Sequence, residues 1–217
     1  MITVARPRLY SDAVILDSAR TVVLEAGARA TTIDAIAAAS GAPKGSLYNR
    51  YPSLDDLLAT LWLRAAKRAQ RDFIAQTESP DALAAALAAA LSLYDFAECE
   101  PADARLLASM RREDLVLRTL TPRLTRELDQ VNRELQMALS ALAERLFGRF
   151  DTNALEITVC AVVDLPLGLL RRHLVAGDRL PAGLRGRIAS AVNAILLDSR
   201  NYLHQPNPKR RAHVRTD

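Results

Sequence analysis

Apolar residues recur every three or four positions along most of the chain, which is the period of an amphipathic α-helix. The most sustained run contains Leu124, Leu128, Val131, Leu135, Leu139, Leu142 and Leu146. No long run of Val, Ile and Thr alternates with polar residues, so the pattern gives no support for strands. Ala and Leu dominate the composition, which also favours helices. The sequence therefore predicts an all-α fold.

Capping residues, prolines and glycines divide this pattern into separate helices. Ser11 and Asp151 are placed as N-caps, and Gly27, Gly148 and Gly177 follow the last helical positions. The helices are predicted at about 11–25, 32–40, 43–51, 53–77, 80–98, 101–112, 121–147, 151–176 and 181–203, with a turn-rich connection over 114–120.

The stretch from Thr31 to Leu58 predicts two short helices joined by a tight turn, followed by the start of a longer helix. Thr32 is a good N-cap for the first helix, and Gly41 suits the left-handed position at its end. Pro43 suits the start of the second helix, because it has no N–H to leave unsatisfied. Two helices joined in this way form a helix-turn-helix.

The second of these helices carries side chains that suit DNA. Lys44 and Arg50 can contact phosphates, Tyr48 can donate its hydroxyl to a phosphate, and Asn49 can bind a base edge. We therefore expect this helix to be the one that enters a DNA groove.

Small residues at the start of the same helix would let the backbone approach DNA closely. Gly45 and Ser46 are small, and Ala42 is expected at the N-cap, where it leaves the first-turn N–H groups free for a phosphate. The predicted DNA-binding residues are Thr32, Ala42, Pro43, Lys44, Gly45, Ser46, Tyr48, Asn49 and Arg50.

This stretch resembles the TetR family of bacterial one-component transcriptional regulators. The matching residues are Thr31, Thr32, Ile36, Ala37, Ser40, Gly41, Lys44, Gly45, Leu47, Tyr48, Tyr51, Ser53, Leu57 and Leu58. The family often has a basic residue after the position of Ser53 that contacts a phosphate, whereas this chain has the apolar residue Leu54 there. The resemblance implies a repressor that binds a palindromic double-stranded DNA operator as a homodimer and responds to a small-molecule effector.

The predicted domains are a helix-turn-helix DNA-binding domain at 1–54 and a helical ligand-binding and dimerisation domain at 55–204. A basic tail at 205–217 is expected to be disordered. The helix that begins near Ser53 continues to about Thr77 and would link the two domains. Its basic residues Lys67, Arg68 and Arg71 are expected on a solvated face.

A nearly apolar segment at 157–170 predicts dimerisation, because such a helix must be buried on most sides. Pairing of this helix and the last helix with their copies would form a four-helix bundle. Within the segment, Pro166 predicts a kink near Val162. Asp164 either bonds locally or pairs with Arg171 or Arg172, or it anchors a ligand in the bundle core.

The net charge of +4, from 29 basic and 25 acidic residues, is no evidence for DNA binding, because the tail carries most of it. Arg6 and Arg8 form an arm that either enters a minor groove or is a frayed terminus. Cys99 and Cys160 are far apart and are expected to be small buried hydrophobes. No signal peptide and no uncharged apolar run of membrane-spanning length is evident, so we expect a cytoplasmic protein without a membrane partner.

The effector is expected in a largely apolar pocket of the helical domain. The candidate pocket residues are Trp62, Tyr94, Phe96, Met110, Met137, Cys160 and Asp164. An enzyme is not expected, because the histidines lie late in the chain and no phosphate loop, metal motif or cofactor motif is present. Two alternatives are an architectural DNA-binding protein without a ligand and a helical small-molecule-binding or interaction protein that has lost operator binding.

Overall fold

The computed structural model describes residues 10–149 and 151–204, with side chains described as far as residue 199. The arm with Arg6 and Arg8 and the tail at 205–217 lie outside the described residues. The helices are α1 (Asp12–Ala26), α2 (Ile33–Ser40), α3 (Lys44–Tyr48), α4 (Leu54–Thr77), α5 (Ala82–Cys99), α6 (Pro101–Ser109), α7 (Arg112–Val116), α8 (Pro122–Phe147), α9 (Thr152–Val159), α10 (Leu165–Ala176) and α11 (Leu184–His204). The described chain contains no strand, and the predicted all-α fold is confirmed.

The chain forms two compact units. The first comprises the described residues up to Gln70 together with Phe96–Glu134 and Arg171–Arg179. The second comprises Arg71–Asp95, Leu135–Leu170 and the described residues from Leu180 onward. Helices α4, α5, α8 and α10 therefore each contribute residues to both units.

The core of the first unit is built from the apolar faces of α1 to α4 together with parts of α6, α7 and α8. Ile15, Ile36, Leu47, Leu57 and Leu61 are all fully buried in it. Burying a side chain of this size contributes about 1.5–3 kcal/mol, so these residues account for a large part of the stability of the unit.

The N-caps predicted at Ser11 and Asp151 are confirmed. Ser11 Oγ accepts a hydrogen bond from the backbone N–H of Val14 at 3.2 Å, and Asp151 Oδ1 accepts one from Ala154 at 2.8 Å. Each cap satisfies a donor that the first helical turn leaves without a partner.

The start of α4 is fixed by a capping interaction that extends to α8. Ser53 Oγ accepts from the backbone N–H of Asp56 at 3.0 Å and donates to Asp56 Oδ2 at 2.9 Å. The other oxygen of this carboxylate accepts from the backbone N–H of Thr121 at 2.9 Å, just before α8. Asp56 thus connects the start of α4 with the start of α8. In a standard capping box, a longer Glu would instead accept from the backbone N–H of the cap residue.

Several predicted helix boundaries differ from the structure. The connection over 114–120 overlaps the short helix α7, which buried Leu115 anchors to the core, and α6 ends at Ser109. The last helix begins at Leu184, three residues after Pro181. The backbone N–H of Leu184 donates to the Pro181 carbonyl at 3.1 Å, and Gly183 has a φ of 77°, so a turn precedes the helix.

The apolar segment around Pro166 contains a π-helical turn at Cys160–Asp164, at the place where the sequence predicts a distortion. The N–H of Leu165 donates to the Cys160 carbonyl, which is the i to i+5 bond of a π-helix. The wider turn lies directly before the proline, which has no N–H to donate. Asp164 is exposed, and in the described chain it forms no ion pair with Arg171 or Arg172.

The cysteines do not lie where the sequence predicts. Cys99 ends α5 and Cys160 begins the π-helical turn, and both side chains are exposed.

Among the described residues, Ala82–Cys99 and Thr152–Ala176 are long and apolar enough to span a membrane by length and composition. Core and interface helices of soluble proteins pass the same test, so this is weak evidence for a membrane protein.

A buried carboxylate joins three helices of the first unit. Asp103 on α6 is fully buried, and its two oxygens accept hydrogen bonds from Arg20 on α1 and Arg68 on α4. Arg68 is exposed, as the sequence predicts, but its guanidinium group also reaches this buried carboxylate. A buried carboxylate is stable only when it is paired and hydrogen-bonded, so both arginines are needed to hold it.

We expect Asp103→Asn to lower the free energy of unfolding by about 3 kcal/mol, because it leaves two guanidinium groups without their buried acceptor. Urea unfolding followed by circular dichroism measures the change. The control is Asp95→Asn, since Asp95 pairs with Arg185 at 2.9 Å where both side chains are 51% exposed. This variant should cost less than about 1 kcal/mol. Equal losses in the two variants would contradict the role given to Asp103.

Candidate nucleic-acid interface

The turn between α2 and α3 is held by short-range hydrogen bonds and one glycine. Thr32 Oγ1 accepts from the backbone N–H of Ala35 at 3.2 Å, which confirms the predicted cap of α2. Gly41 has a φ of 69°, a left-handed conformation that favours glycine. Ser40 Oγ donates to the Ile36 carbonyl at 2.7 Å and accepts from the N–H of Ala42 at 3.3 Å. The turn is thus fixed from both sides.

Helix α3 begins one residue later than the sequence predicts. Pro43 is the N-cap, with Lys44 as the first helical residue, so the expectation that Ala42 is the N-cap is wrong. Ala42 is only 2% exposed, and its N–H already donates to Ser40. The physical reason is that Ala42 is buried in the core together with Leu47. This burial holds the residue before Pro43 against the core.

Most of the predicted DNA-binding residues are exposed at the surface of α2, α3 and the residues beside them. The exposed members are Thr32, Pro43, Lys44, Gly45, Tyr48 and Asn49, whereas Ser46 and Arg50 are half-buried and Ala42 is buried. Tyr48 is 52% exposed, which is unusual for a large aromatic residue. The surface therefore offers a cation, a phenol and an amide to a partner.

Both cations of this surface are paired with carboxylates. Lys44 Nζ lies 2.5 Å from Asp34 Oδ1, and Arg50 Nη1 lies 3.0 Å from Asp12 Oδ1. Asp34 belongs to the first turn of α2 and Asp12 to the first turn of α1, where negative charge stabilises the helix dipole. Neither acid is among the predicted DNA-binding residues, and no spacing in the sequence indicates that they meet these cations.

Tyr51, just after α3, has a different environment from Tyr48. It is only 6% exposed and belongs to the core of the first unit. Burial raises the pKa of its phenol above the ordinary value, and the nearby charge of Asp12 adds to the increase. Tyr51 therefore stays neutral and acts as a packing residue beneath the exposed surface.

The candidate effector residues do not form one cluster. Trp62 and Met110 are buried in the first unit, where Trp62 Nε1 donates to the Met110 carbonyl at 3.0 Å. Phe96 is a partly buried residue of the same unit. The remaining candidates belong to the second unit, where Met137, Cys160 and Asp164 are exposed and Tyr94 is partly buried.

One cleft of the first unit has a volume suited to a small molecule. It measures about 500 Å³ and lies between the end of α1 and the α6–α7 segment. Its lining includes Met110 and Leu115 as well as Arg29, Arg111 and Arg118. The guanidinium groups make this cleft more polar than the pocket that the sequence predicts.

A sequence profile described as "Bacterial regulatory proteins, tetR family" matches residues 15–61, which contain most of α1, all of α2 and α3, and the start of α4. No curated protein is similar enough in sequence to count as a relative.

Solved structures of similar fold include a TetR-like transcriptional regulator from Rhodococcus sp. RHA1, with a TM-score of 0.65 and 18% identity over 93% of this chain and 100% of that one. The fatty acid degradation regulator FadR from Bacillus halodurans has a TM-score of 0.67 and 15% identity over 88% and 97%. FadR from Bacillus subtilis, solved in complex with stearoyl-CoA, has a TM-score of 0.64 and 14% identity over 86% and 98%.

At these identities the structural likeness establishes the fold, and the matched profile identifies the N-terminal segment. The chain therefore has the helix-turn-helix domain of the tetR family of bacterial regulatory proteins, set in a TetR-like all-helical fold.

Proposed function

We propose that the protein is a transcriptional repressor that binds a palindromic operator and is released from it by a small, largely apolar ligand. The observation that carries the proposal is the exposure of Lys44 and Tyr48 on α3 and of its C-cap residue Asn49, within a tetR-type helix-turn-helix. A side chain such as Tyr48 gains nothing from exposure in an isolated domain, whereas its hydroxyl can donate to a phosphate.

A dimer is the form that would read a palindrome. Two copies of α3 would enter successive major grooves, with half-site centres about 34–36 Å apart or a multiple of that distance. In α10 and α11, Leu167 is 45% exposed and Leu197 is 48% exposed. Association with a second copy would cover both leucines. Their exposure therefore supports α10 and α11 as the dimerisation surface.

The remaining parts of the proposal concern the domains, the location and the effector. Residues 1–54 would bind DNA, residues 55–204 would bind the ligand and the second copy, and the protein would act in the cytoplasm. An effector with a long apolar portion is supported by the stearoyl-CoA complex of the Bacillus subtilis FadR, whose fold is similar. Ligand binding would shift α4 and change the spacing of the two recognition helices.

We expect substitutions on α3 to change binding to the DNA upstream of the protein's own gene. Tyr48→Phe should weaken binding by about three- to tenfold through loss of one hydrogen bond. Lys44→Ala should reduce the slope of log affinity against log salt by about one per protomer. Asn49→Ala should change sequence preference more than overall affinity. Fluorescence anisotropy at several salt concentrations measures all three.

The control for these DNA-binding variants is Lys67→Ala, which removes one positive charge from the same unit at a lysine that pairs with Glu127 on α8. This variant should bind DNA like the wild type. Wild-type affinity and salt slope in all three α3 variants would contradict the assignment of α3 as the recognition helix.

For the dimer, we expect Leu167→Glu to weaken self-association by more than about a hundredfold, because it would bury an unpaired carboxylate. Sedimentation velocity at micromolar concentration should give a wild-type dimer and a monomeric variant. Leu117→Glu is the matched control, since Leu117 is 86% exposed in the first unit and should leave the dimer intact. A wild-type monomer would overturn the proposed dimer.

For the effector, we expect a compound that releases DNA to change the emission of Trp62, the only tryptophan in the chain. Trp62 is bonded to Met110, and Met110 lines the 500 Å³ cleft, so movement of α4 or occupation of the cleft alters its surroundings. The first compound to titrate is stearoyl-CoA, with an expected loss of DNA affinity of about 5- to 150-fold. Release without a change in emission would contradict this route.

A further inference from the structure

The DNA-facing part of the first unit carries little free positive charge. Residues 10–60 contain four basic residues, Arg20, Arg29, Lys44 and Arg50, and six acidic residues, Asp12, Asp17, Glu25, Asp34, Asp55 and Asp56, for a net charge of 4 − 6 = −2. Of the four basic residues, only Arg29 has no carboxylate partner within the described part of the chain. This balance is unusual for a surface that has to approach a polyanion.

Lys44 and Arg50, the two cations at α3, are paired with acids that lie on α2 and α1. Asp34 is 67% exposed and meets Lys44, which is 58% exposed. Asp12 is 61% exposed and meets Arg50, which is only 19% exposed. The Lys44–Asp34 pair is open to water on both sides and is therefore weak, so a phosphate can replace the carboxylate. The Arg50–Asp12 pair is open to water mainly at the carboxylate, so Arg50 is the less exchangeable of the two cations.

We propose that Asp34 and Asp12 are selectivity-determining residues that mask and position Lys44 and Arg50. Binding to non-specific DNA depends almost entirely on cations that neutralise phosphates. When a phosphate replaces Asp34 as the partner of Lys44, an unpaired carboxylate is left beside the DNA. Each such contact therefore adds little to the affinity for DNA. On a matching sequence, base contacts by α3 add affinity that other DNA does not supply. Masking of the two cations lowers the affinity for all other DNA, so it raises the ratio of specific to non-specific binding.

This inference rests on the proposed DNA-binding function, and it assigns to the two acids a role beyond stabilising their helix starts. A purely structural role would change the melting temperature but would not change how DNA affinity depends on salt. The dependence on salt concentration is therefore the measurement that separates the two roles.

The test measures binding of the full-length protein to a random-sequence 30-base-pair duplex by fluorescence anisotropy between 50 and 300 mM salt. Asp34→Asn should raise affinity by about three- to tenfold near 0.1 M salt and steepen the log–log slope by about one per protomer. Affinity for the DNA upstream of the gene should rise less, so the ratio of specific to random binding should fall. Asp12→Asn should act in the same direction and provides an independent second variant.

Two further variants separate pairing from a general effect of charge. Glu25→Gln makes the same change of charge at an exposed residue of α1 that has no ion-pair partner in the described chain, and it should leave the salt slope unchanged. In a Lys44→Gln background, Asp34→Asn should have no further effect, because its partner is gone. An undiminished effect in that background would overturn the pairing.

Failure of this inference is distinguishable from failure of the proposed function. A wild type that binds its upstream DNA, together with aspartate variants of unchanged slope and unchanged selectivity, would overturn the masking role alone. A wild type that binds neither the upstream DNA nor the random duplex would overturn the proposed function, and the masking role with it.

Discussion

The first unit depends on a carboxylate that has no access to water. Asp103 on α6 is stable only because α1 supplies Arg20 and α4 supplies Arg68. Removing either helix from its place would leave one oxygen of the buried carboxylate without its arginine, so the three helices must keep their relative positions or move together. The helix-turn-helix packs on α1, and its position is therefore set in part by a residue far from it in sequence.

Helix α4 extends this constraint along the rest of the unit. Its first turn bonds through Asp56 to the start of α8, its middle bonds through Trp62 to the end of α6, and Lys67 pairs with Glu127 on α8. A movement of α6 or α8 would therefore change contacts at several points of α4. These contacts are a physical route by which the proposed effector could alter the recognition helices.

The sequence predicts those features that local chemistry determines. Ser11, Thr32 and Asp151 lie before apolar periodic runs, and each caps its helix as expected. The partners of Asp103, Lys44 and Arg50 could not be predicted, because they are brought together by packing between helices and by no fixed spacing. The one-residue shift at Ala42 has the same origin, since burial in the core decides where α3 begins.

Selection of bound sequences from a random DNA library by the full-length protein tests operator binding most directly. We expect enrichment of one inverted repeat whose half-sites have centres about 34–36 Å apart along the helix axis, or a multiple of that distance. Protein carrying Asn49→Ala should enrich a different half-site. Absence of any enriched sequence, or enrichment of a single site without two-fold symmetry, would contradict binding of a palindromic operator by a dimer.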